Sequence, residues 1–396
     1  MQHPTVYIVA AQRSPVATLN GALAELSAHH LGAAAIAACL QSARLSAALV
    51  DECIMGQVLG AGSGMNPARQ AARAAGLADT ATAFGVNQVC GSGLRAVALA
   101  SQQLQCGAAR IIVAGGQESM SRAPHVAQLR GTHKLGDVTL ADTVQLDGLT
   151  DAFHGCAMGM TAEHLAIRFG ISRAAQDAWA LRSQQRASAA CRAGHFAQEI
   201  VPIPVKSAAN GAVGKDTVDR DTHIRHDTTP ASLARLRPVF ADAGSITAGN
   251  ASGLNDGAAA LLLMGEAPLH AHGIEPLARI VSWASVGVEP MLMGLGPVPA
   301  AQLALQRAGW STDDVDLWEI NEAFATQVLA VMQELRVDSE RVNVDGGAIA
   351  LGHPIGASGA RILVTLLHAL QRRKLRRGLA TLCIGGGMGI AMCVER

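Results

Sequence analysis

Four short segments hold residue types suited to nucleophilic chemistry at sulfur. In Asn87-Gln-Val-Cys90-Gly-Ser-Gly-Leu a strand-like run ends and an amphipathic helix begins, with Leu94, Val97, Ala98 and Leu104 on one side. Cys90 then stands at a helix N-terminus, where free amides and the positive dipole end lower a thiol's pKa, and Gly91 and Gly93 let a substrate approach the backbone. A small buried cysteine at a glycine-rich packing point fits the same fragment. The segment from Asn343 to Gly359 is too rich in glycine for an ordinary core element and presents one imidazole, His353. A histidine there takes a proton from a thiol, donates a hydrogen bond to a thioester oxygen, or simply closes a turn. Cys383-Ile-Gly-Gly-Gly-Met-Gly puts a second thiol at a strand end before amides able to point at an oxyanion, or else substitutes in a core. In Trp318-Glu-Ile-Asn321-Glu-Ala-Phe, an asparagine just past a buried strand is placed to cap the next helix or to hold a water.

The elements that position these groups alternate between strand and helix. Strands are expected at Val6–Ala10, Glu52–Leu59, Thr82–Val89 and Ile111–Ala114, with helices at Ser27–Ala43, Pro67–Ala75 and after Gly93. The C-terminal third repeats the layout: strand Ala278–Val286, helix Ala300–Ala308, strand Val315–Ile320, helix Glu322–Glu334, helix Gly359–Arg373, and strands either side of Gly385. Such alternation implies a layered α/β sheet. Leu45-Ser-Ala-Ala-Leu-Val-Asp-Glu-Cys-Ile matches Trp310-Ser-Thr-Asp-Asp-Val-Asp-Leu-Trp-Glu-Ile in pattern, and Ile111-Ile-Val-Ala-Gly-Gly matches Thr381-Leu-Cys-Ile-Gly-Gly, which sets Cys383 at the place of Val113. This reads as an internal duplication that brings strand ends from both halves to one side of the sheets. The expected organisation is an N-terminal half over 1–120, completed by about 250–270, an inserted and more polar domain over 121–249, and a C-terminal half over 271–396. In the insertion, Thr161 is expected to start a helix that Gly170 ends, and Ser172 another that runs to Gly194.

Composition excludes several classes. Apolar residues make up 49% of 396 against 16% charged, with 42 glycines and 3% aromatics, which fits a tightly packed α/β protein rather than a disordered chain. Lys+Arg 31 balance Asp+Glu 31, so no global field draws nucleic acid or an anionic membrane. The cluster Arg372, Arg373, Lys374, Arg376 and Arg377 closes a helix and complements its dipole. Eight cysteines without a CxxC pair suggest buried thiols in a reducing cytosol and no metal site. The N-terminus runs into a strand with no charged segment ahead of an apolar one, so no signal peptide is expected, and the apolar runs fall short of a membrane span.

Taken with Gly115-Gly-Gln-Glu-Ser-Met, Met158-Gly-Met-Thr-Ala-Glu, Thr247-Ala-Gly-Asn-Ala-Ser-Gly-Leu-Asn-Asp-Gly and Gly294-Leu-Gly-Pro-Val-Pro-Ala, these motifs resemble the thiolase family over essentially the whole chain, most of all its short-chain acetyl-CoA acetyltransferases. The resemblance implies a duplicated five-layer αβαβα core with an inserted loop domain. It further implies a ping-pong reaction in which Cys90 attacks a thioester, His353 accepts its proton, and amides of Cys90 and Gly385 hold the oxyanion. Cys383 then deprotonates a second acetyl-CoA while His353 and a water on Asn321 stabilise the enolate. Acyl-CoA and CoA are the implied partners, with no metal or redox cofactor. Ser252 and Ala248 are expected near the pantetheine arm, Arg225 and Ser232 near the adenosine end, and Leu149, Met158 and Phe324 along the channel. A cytoplasmic homo-oligomer, dimer or tetramer, is implied, a tetramer using the loop around His125–Val144. One departure stands out: short-chain members carry a histidine directly ahead of this methionine, and here it is Ala157. Its loss implies a roomier or less polar acyl pocket, unless His154 substitutes.

Other readings remain. A malonyl-condensing 3-oxoacyl synthase shares the fold, but its site pairs cysteine with two histidines or with histidine and asparagine, where this chain has a second thiol. A non-catalytic acyl-CoA carrier fits poorly with four retained reactive positions. A nucleotide-dependent oxidoreductase, suggested by Gly60-Ala-Gly-Ser-Gly-Met-Asn-Pro, lacks the dinucleotide spacing and its acidic partner.

Overall fold

The computed structural model describes residues 4–131, 134–206 and 213–396. Its main elements are β1 (Val6–Arg13), α1 (Ala28–Ser42), β2 (Glu52–Gly56), α2 (Pro67–Ala74), β3 (Thr82–Val86), α3 (Ser92–Gln105), β4 (Ile111–Ser119), α4 (Met158–Phe169), α5 (Arg173–Arg192), β5 (Asn255–Gly265), β6 (Ala278–Gly287), α6 (Pro297–Ala308), β7 (Leu317–Ile320), α7 (Ala325–Leu335), α8 (Ile355–Arg373), β8 (Arg377–Ile384) and β9 (Met388–Glu395). Among the described residues the strands join one ten-stranded mixed sheet in the order β7-β8-β9-β6-β1-β5-β4-β2-β3, with the short strand Ala17–Thr18 paired to β5.

Period-two patterning divides this sheet between three apolar layers. In β5, Leu261 and Leu263 face a central core with α3 and α8, while Leu262 and Met264 face an outer core with α1 and α2. In the other half, Leu382 faces the central core and Leu379 an outer core with α6 and α7. Helices therefore lie outside, between and outside two half-sheets, the five-layer αβαβα arrangement, and the half-sheets are continuous through the antiparallel pair β1·β6.

The duplication is written in hydrogen bonds. Asp51 accepts from the amides of Arg110 and Ile111 (2.7 and 3.0 Å), and Asp316 accepts from those of Arg376 and Arg377 (2.9 and 2.8 Å). Each aspartate follows a one-turn 3-10 helix and precedes a strand, so the match between the Leu45 and Trp310 segments is structural. The second sequence match is corrected. In the parallel ladders Cys53 pairs with Val113 and Trp318 with Leu379, so Val113 corresponds to Leu379, and Cys383 stands at the place of Gln117. The glycine pairs misled the alignment because their tasks differ. Gly115 and Gly116 lie mid-strand, where an added Cβ would meet the Ala259 and Gly356 carbonyl oxygens at 2.0 and 2.1 Å. Gly385 and Gly386 lie in the turn between β8 and β9, where Gly386 takes a positive φ.

Other expectations shift at the edges. Helix α4 begins at Met158, with Ala157 as its cap, and the Thr161 hydroxyl donates to the Met158 carbonyl (2.7 Å) instead of starting the helix. Helix α7 begins at Ala325 rather than Glu322, whose buried carboxylate accepts from Trp179, Ser183 and Asn343 and so ties α5 to the β7 end. Strand β5, for which no strand is expected from the sequence, is the longest in the sheet among the described residues.

Helices α3 and α8 cross at glycine: a Cβ on Gly359 would lie 2.5 Å from the Leu94 amide nitrogen, and one on Gly93 would lie 2.7 Å from that of Ala360. We expect Gly359→Ala to lower the denaturant midpoint, because overpacking of about 1–3 kcal/mol exceeds the roughly 1 kcal/mol gain in helix propensity. A raised midpoint in chemical denaturation would show that the helices are not in backbone contact.

Candidate active site

Cys90 sits in the turn from β3 into α3. The turn is strained: Val89, a β-branched residue, has φ +46°. Its amide donates to Asn87 Oδ1 (3.0 Å), while Ser92 Oγ accepts from the Gln88 amide (2.9 Å) and donates to the Val89 carbonyl (2.6 Å). Gly91 caps α3 and lies against Ile384, whose Cδ1 would be 2.4 Å from a Cβ there. The end of β8, with Cys383, is thus pressed onto the Cys90 turn.

His353 is delivered by the turn into α8. Gly352 has φ +106° and abuts the Asn255 side chain, 2.6 Å from a Cβ it lacks. Asn255 Oδ1 accepts the His353 amide (2.8 Å) and its Nδ2 donates to the Ala17 carbonyl (3.0 Å), so the first residue of β5 holds this backbone. Ser358 Oγ lies 2.5 Å from His353 Nδ1 and 2.8 Å from the Pro354 carbonyl. The hydroxyl has one proton; given to Pro354, it leaves Oγ to accept from Nδ1–H, and Nε2 becomes the acceptor of the ring. Glu118 braces the arrangement, accepting from the amides of Val58 (3.0 Å), Leu59 (3.2 Å) and Gly356 (2.8 Å).

These segments converge on one cavity of about 50 Å³ lined by Val89, Cys90, Leu149, Met158, Ser252, Met293, Phe324, His353, Cys383 and Gly385, among others. It shares Leu149, Met158, Ser252, Phe324, His353 and Ile355 with a wider cavity of about 380 Å³, which Ala157, Phe240 and Ala248 also line. Phe240 packs edge-on to Phe324 (6.3 Å between centroids) and lies on Gly159, where a Cβ would be 2.1 Å away. Asn321 is fully buried, and neither its Oδ1 nor its Nδ2 bonds to protein among the described residues. It does not cap α7, whose cap is Phe324. Among the described residues no cluster of His, Cys, Asp and Glu is placed to hold a metal ion.

Two positions expected near the adenosine end lie outside both cavities. Ser232 belongs to a capping box with Thr229 on the short helix Pro230–Ala234 and lines none of these cavities. Arg225 lines a separate polar pocket, its guanidinium reaching the Ala248 carbonyl at 3.5 Å. His154 does not replace the missing histidine: its Nδ1 pairs with Asp151 Oδ2 at 2.9 Å, outside the cavity lining.

Comparison with known proteins decides the family. The thiolase N-terminal domain model matches residues 6–267 and the thiolase C-terminal domain model residues 274–396. The chain belongs to the thiolase family. It is 58% identical to an acetyl-CoA acetyltransferase of Rhizobium meliloti (strain 1021), covering all of both chains. Among solved structures it resembles the Bacillus anthracis acetyl-CoA acetyltransferase (TM-score 0.95, 43% identity, 99% of both chains). It resembles human mitochondrial 3-ketoacyl-CoA thiolase to the same degree (TM-score 0.95, 42% identity, 99% of this chain and 98% of that one).

Burial sets the charge states of this thiolase site. It pushes the Cys90 thiol up to about 11; amides of Gly385 and of Cys90 itself bond the sulfur and oppose the rise, and the Glu118 carboxylate adds to it. The depressed thiol expected from the helix N-terminus is therefore not what the free site holds: α3 begins two residues later, at Ser92, and desolvation outweighs its dipole. Burial, with the Arg361 charge behind it, lowers His353 to about 4, and burial next to Cys90 raises Cys383. All three groups rest neutral. Asn255, Ser358, Glu118 and Phe240 were not singled out from the sequence. Only the clustering of polar residues inside glycine-rich segments hinted at the first two.

Alkylation of Cys90 by iodoacetamide, followed by peptide mapping, should be slow at neutral pH and still climbing as pH approaches about 11, because the thiolate fraction grows as pH rises through a raised pKa. A plateau already reached at neutral pH would mean a preformed thiolate.

Proposed function

We propose that the chain makes and breaks the carbon–carbon bond of a 3-ketoacyl-CoA by the thiolase reaction, with acetyl-CoA and acetoacetyl-CoA as the short-chain pair. The observation that carries this reading is the meeting of Cys90, His353 and Cys383 on one cavity. Cys90 Sγ attacks the thioester carbonyl and passes its proton to His353 Nε2. The amides of Gly385 and Cys90, which already face the sulfur, take the oxyanion. Cys383, kept protonated by burial, gives its proton to the departing CoA thiolate and is left as the base. It then removes a proton from the methyl carbon of a second acetyl-CoA, while His353 and a water on Asn321 hold the enolate oxygen. The carbanion attacks the acyl group, Cys90 leaves as thiolate, and the proton on His353 returns to it. Run backwards, the same groups thiolyse a 3-ketoacyl-CoA.

Each proton and charge has a residue assigned to it, so the proposal includes no resident cofactor. We place the protein in the cytoplasm as a homo-oligomer. No helix among the described residues is long and apolar enough to cross a membrane. In the loop around His125–Val144, which includes residues 132 and 133 outside the described ones, Leu129, Leu135, Val138 and Leu140 are exposed, apolar surface suited to assembly. Fatty-acid metabolism is the setting this chemistry fits.

A second reading concerns chain length. Ala157 lines the wider cavity, leaving it short of an imidazole, and supports longer or 2-methyl-branched substrates. Thiolysis of acetoacetyl-CoA, of longer 3-ketoacyl-CoAs and of 2-methyl-branched ones should all be abolished by Cys90→Ala. Ala157→His should lower kcat/KM for the larger substrates by about tenfold, the worth of a filled methylene-sized space. Turnover surviving in Cys90→Ala would end the proposal.

A further inference from the structure

In the sequence the basic run from Arg372 to Arg377 closes a helix; in the fold it divides. Helix α8 ends at Arg373 with Lys374 as its cap, Arg372 turns to Asp345, and Arg376 and Arg377 stand where β8 begins. There they meet Arg279, from the start of β6, on one carboxylate, that of Glu395 at the end of β9. We propose that the hollow of about 200 Å³ beside this cluster, lined by Tyr7, Pro276, Arg279, Arg376, Glu395 and Arg396 among others, binds a small anion carrying a diphosphate. The site goes beyond the thiolase reaction and stands apart from it. Strand β8 begins here at Arg377 and reaches Cys383 six residues later, about 20 Å away at the rise of a strand.

Glu395 is buried, and both of its oxygens are taken. Oε2 accepts from Arg279 through Nε (3.0 Å) and Nη2, while Oε1 lies 3.1 Å from Arg377 Nε and 3.2 Å from Arg376 Nε. Burial alone would raise this carboxyl, but the guanidinium groups of Arg279 and Arg377 hold it below the usual carboxylate range. It therefore stays charged and fixes the arginine stems without covering their outer edges. Arg377 is spent elsewhere as well, giving Nη1 to Asp314 (3.1 Å) and stacking on Trp310 (4.8 Å to the ring centroid). Asp316, close by, is committed to the amides of Arg376 and Arg377. Both terminal nitrogens of Arg376, Nη1 of Arg279 and Nη2 of Arg396, whose Nη1 donates to the Leu370 carbonyl (3.2 Å), bond nothing among the described residues. Open donors on three arginines from three segments exceed what the two oxygens of a carboxylate ligand can accept, whereas the oxygens of a diphosphate match them in number and charge. Because Glu395 already orders two of these side chains, an arriving anion meets a reduced ordering cost.

The test is calorimetric titration with inorganic pyrophosphate at about 0.15 M salt, where exposed charges are largely screened. Wild type should bind it, and Arg376→Gln should weaken the binding by about tenfold, the worth of one charge-assisted hydrogen bond. Arg396→Gln, on a different segment, should weaken it likewise. Both variants should keep the circular-dichroism spectrum of wild type; should one lose it, the other decides. ADP in place of pyrophosphate separates the sources of the diphosphate. Tighter binding of ADP than of pyrophosphate, weakened by the same substitutions, marks a nucleotide, and weaker binding marks free pyrophosphate. Absence of binding at this salt concentration overturns the proposal, since it leaves only a screened patch of charge. So does pyrophosphate binding that neither substitution in a folded variant weakens, which would place the anion at another site.

Discussion

The close crossing of α3 and α8 is the contact on which the site depends. Cys90 lies two residues ahead of α3 and His353 two residues ahead of α8, so the separation of the two helices sets the separation of thiol and imidazole. Side chains larger than hydrogen at Gly93 and Gly359 would push the helices apart. Duplication supplies the geometry: each half contributes one inner helix to the central layer, and the residues just ahead of both helices line one cavity. Gly116, against the first turn of α8, keeps β4 equally close, and from there Glu118 can reach the amides of Val58, Leu59 and Gly356.

Burial is the electrostatic consequence. A site at the junction of two half-sheets is poorly solvated, and desolvation holds its thiols protonated and its imidazole neutral. Attack by Cys90 and proton transfer to His353 then belong to one event rather than to a standing ion pair. Desolvation also strengthens the two amides that face the sulfur, which matter most when charge develops on a substrate oxygen. The buried amide of Asn321, without a protein partner among the described residues, suits a role completed by a small molecule.

Most of the architecture was legible because alternation of strand and helix, caps such as Ser172, and glycine-rich turns are local signals. The reactive residues were legible for a related reason: Cys90, His353 and Cys383 each stand within two residues of a glycine at the end of an element. What failed was anything that depends on the third dimension. The glycine pairs at Gly115 and Gly385 looked equivalent, and strand pairing shows them doing different things. The pKa of Cys90 turned on burial between halves more than two hundred residues apart in sequence, against which a helix end is a weak local term. Asn255, inside a motif given no element from the sequence, opens a buried strand, while Glu322 read as helix and is a buried acceptor.

The central claim is that Cys90 carries the acyl group and Cys383 the proton. The direct measurement is peptide mass mapping after acid quench of the Cys383→Ala variant incubated with acetyl-CoA. The account predicts an acetyl group on the Cys90 peptide that persists, because the variant lacks the base for condensation. No adduct on Cys90, or acetoacetyl-CoA formed at the wild-type rate without Cys383, would contradict it.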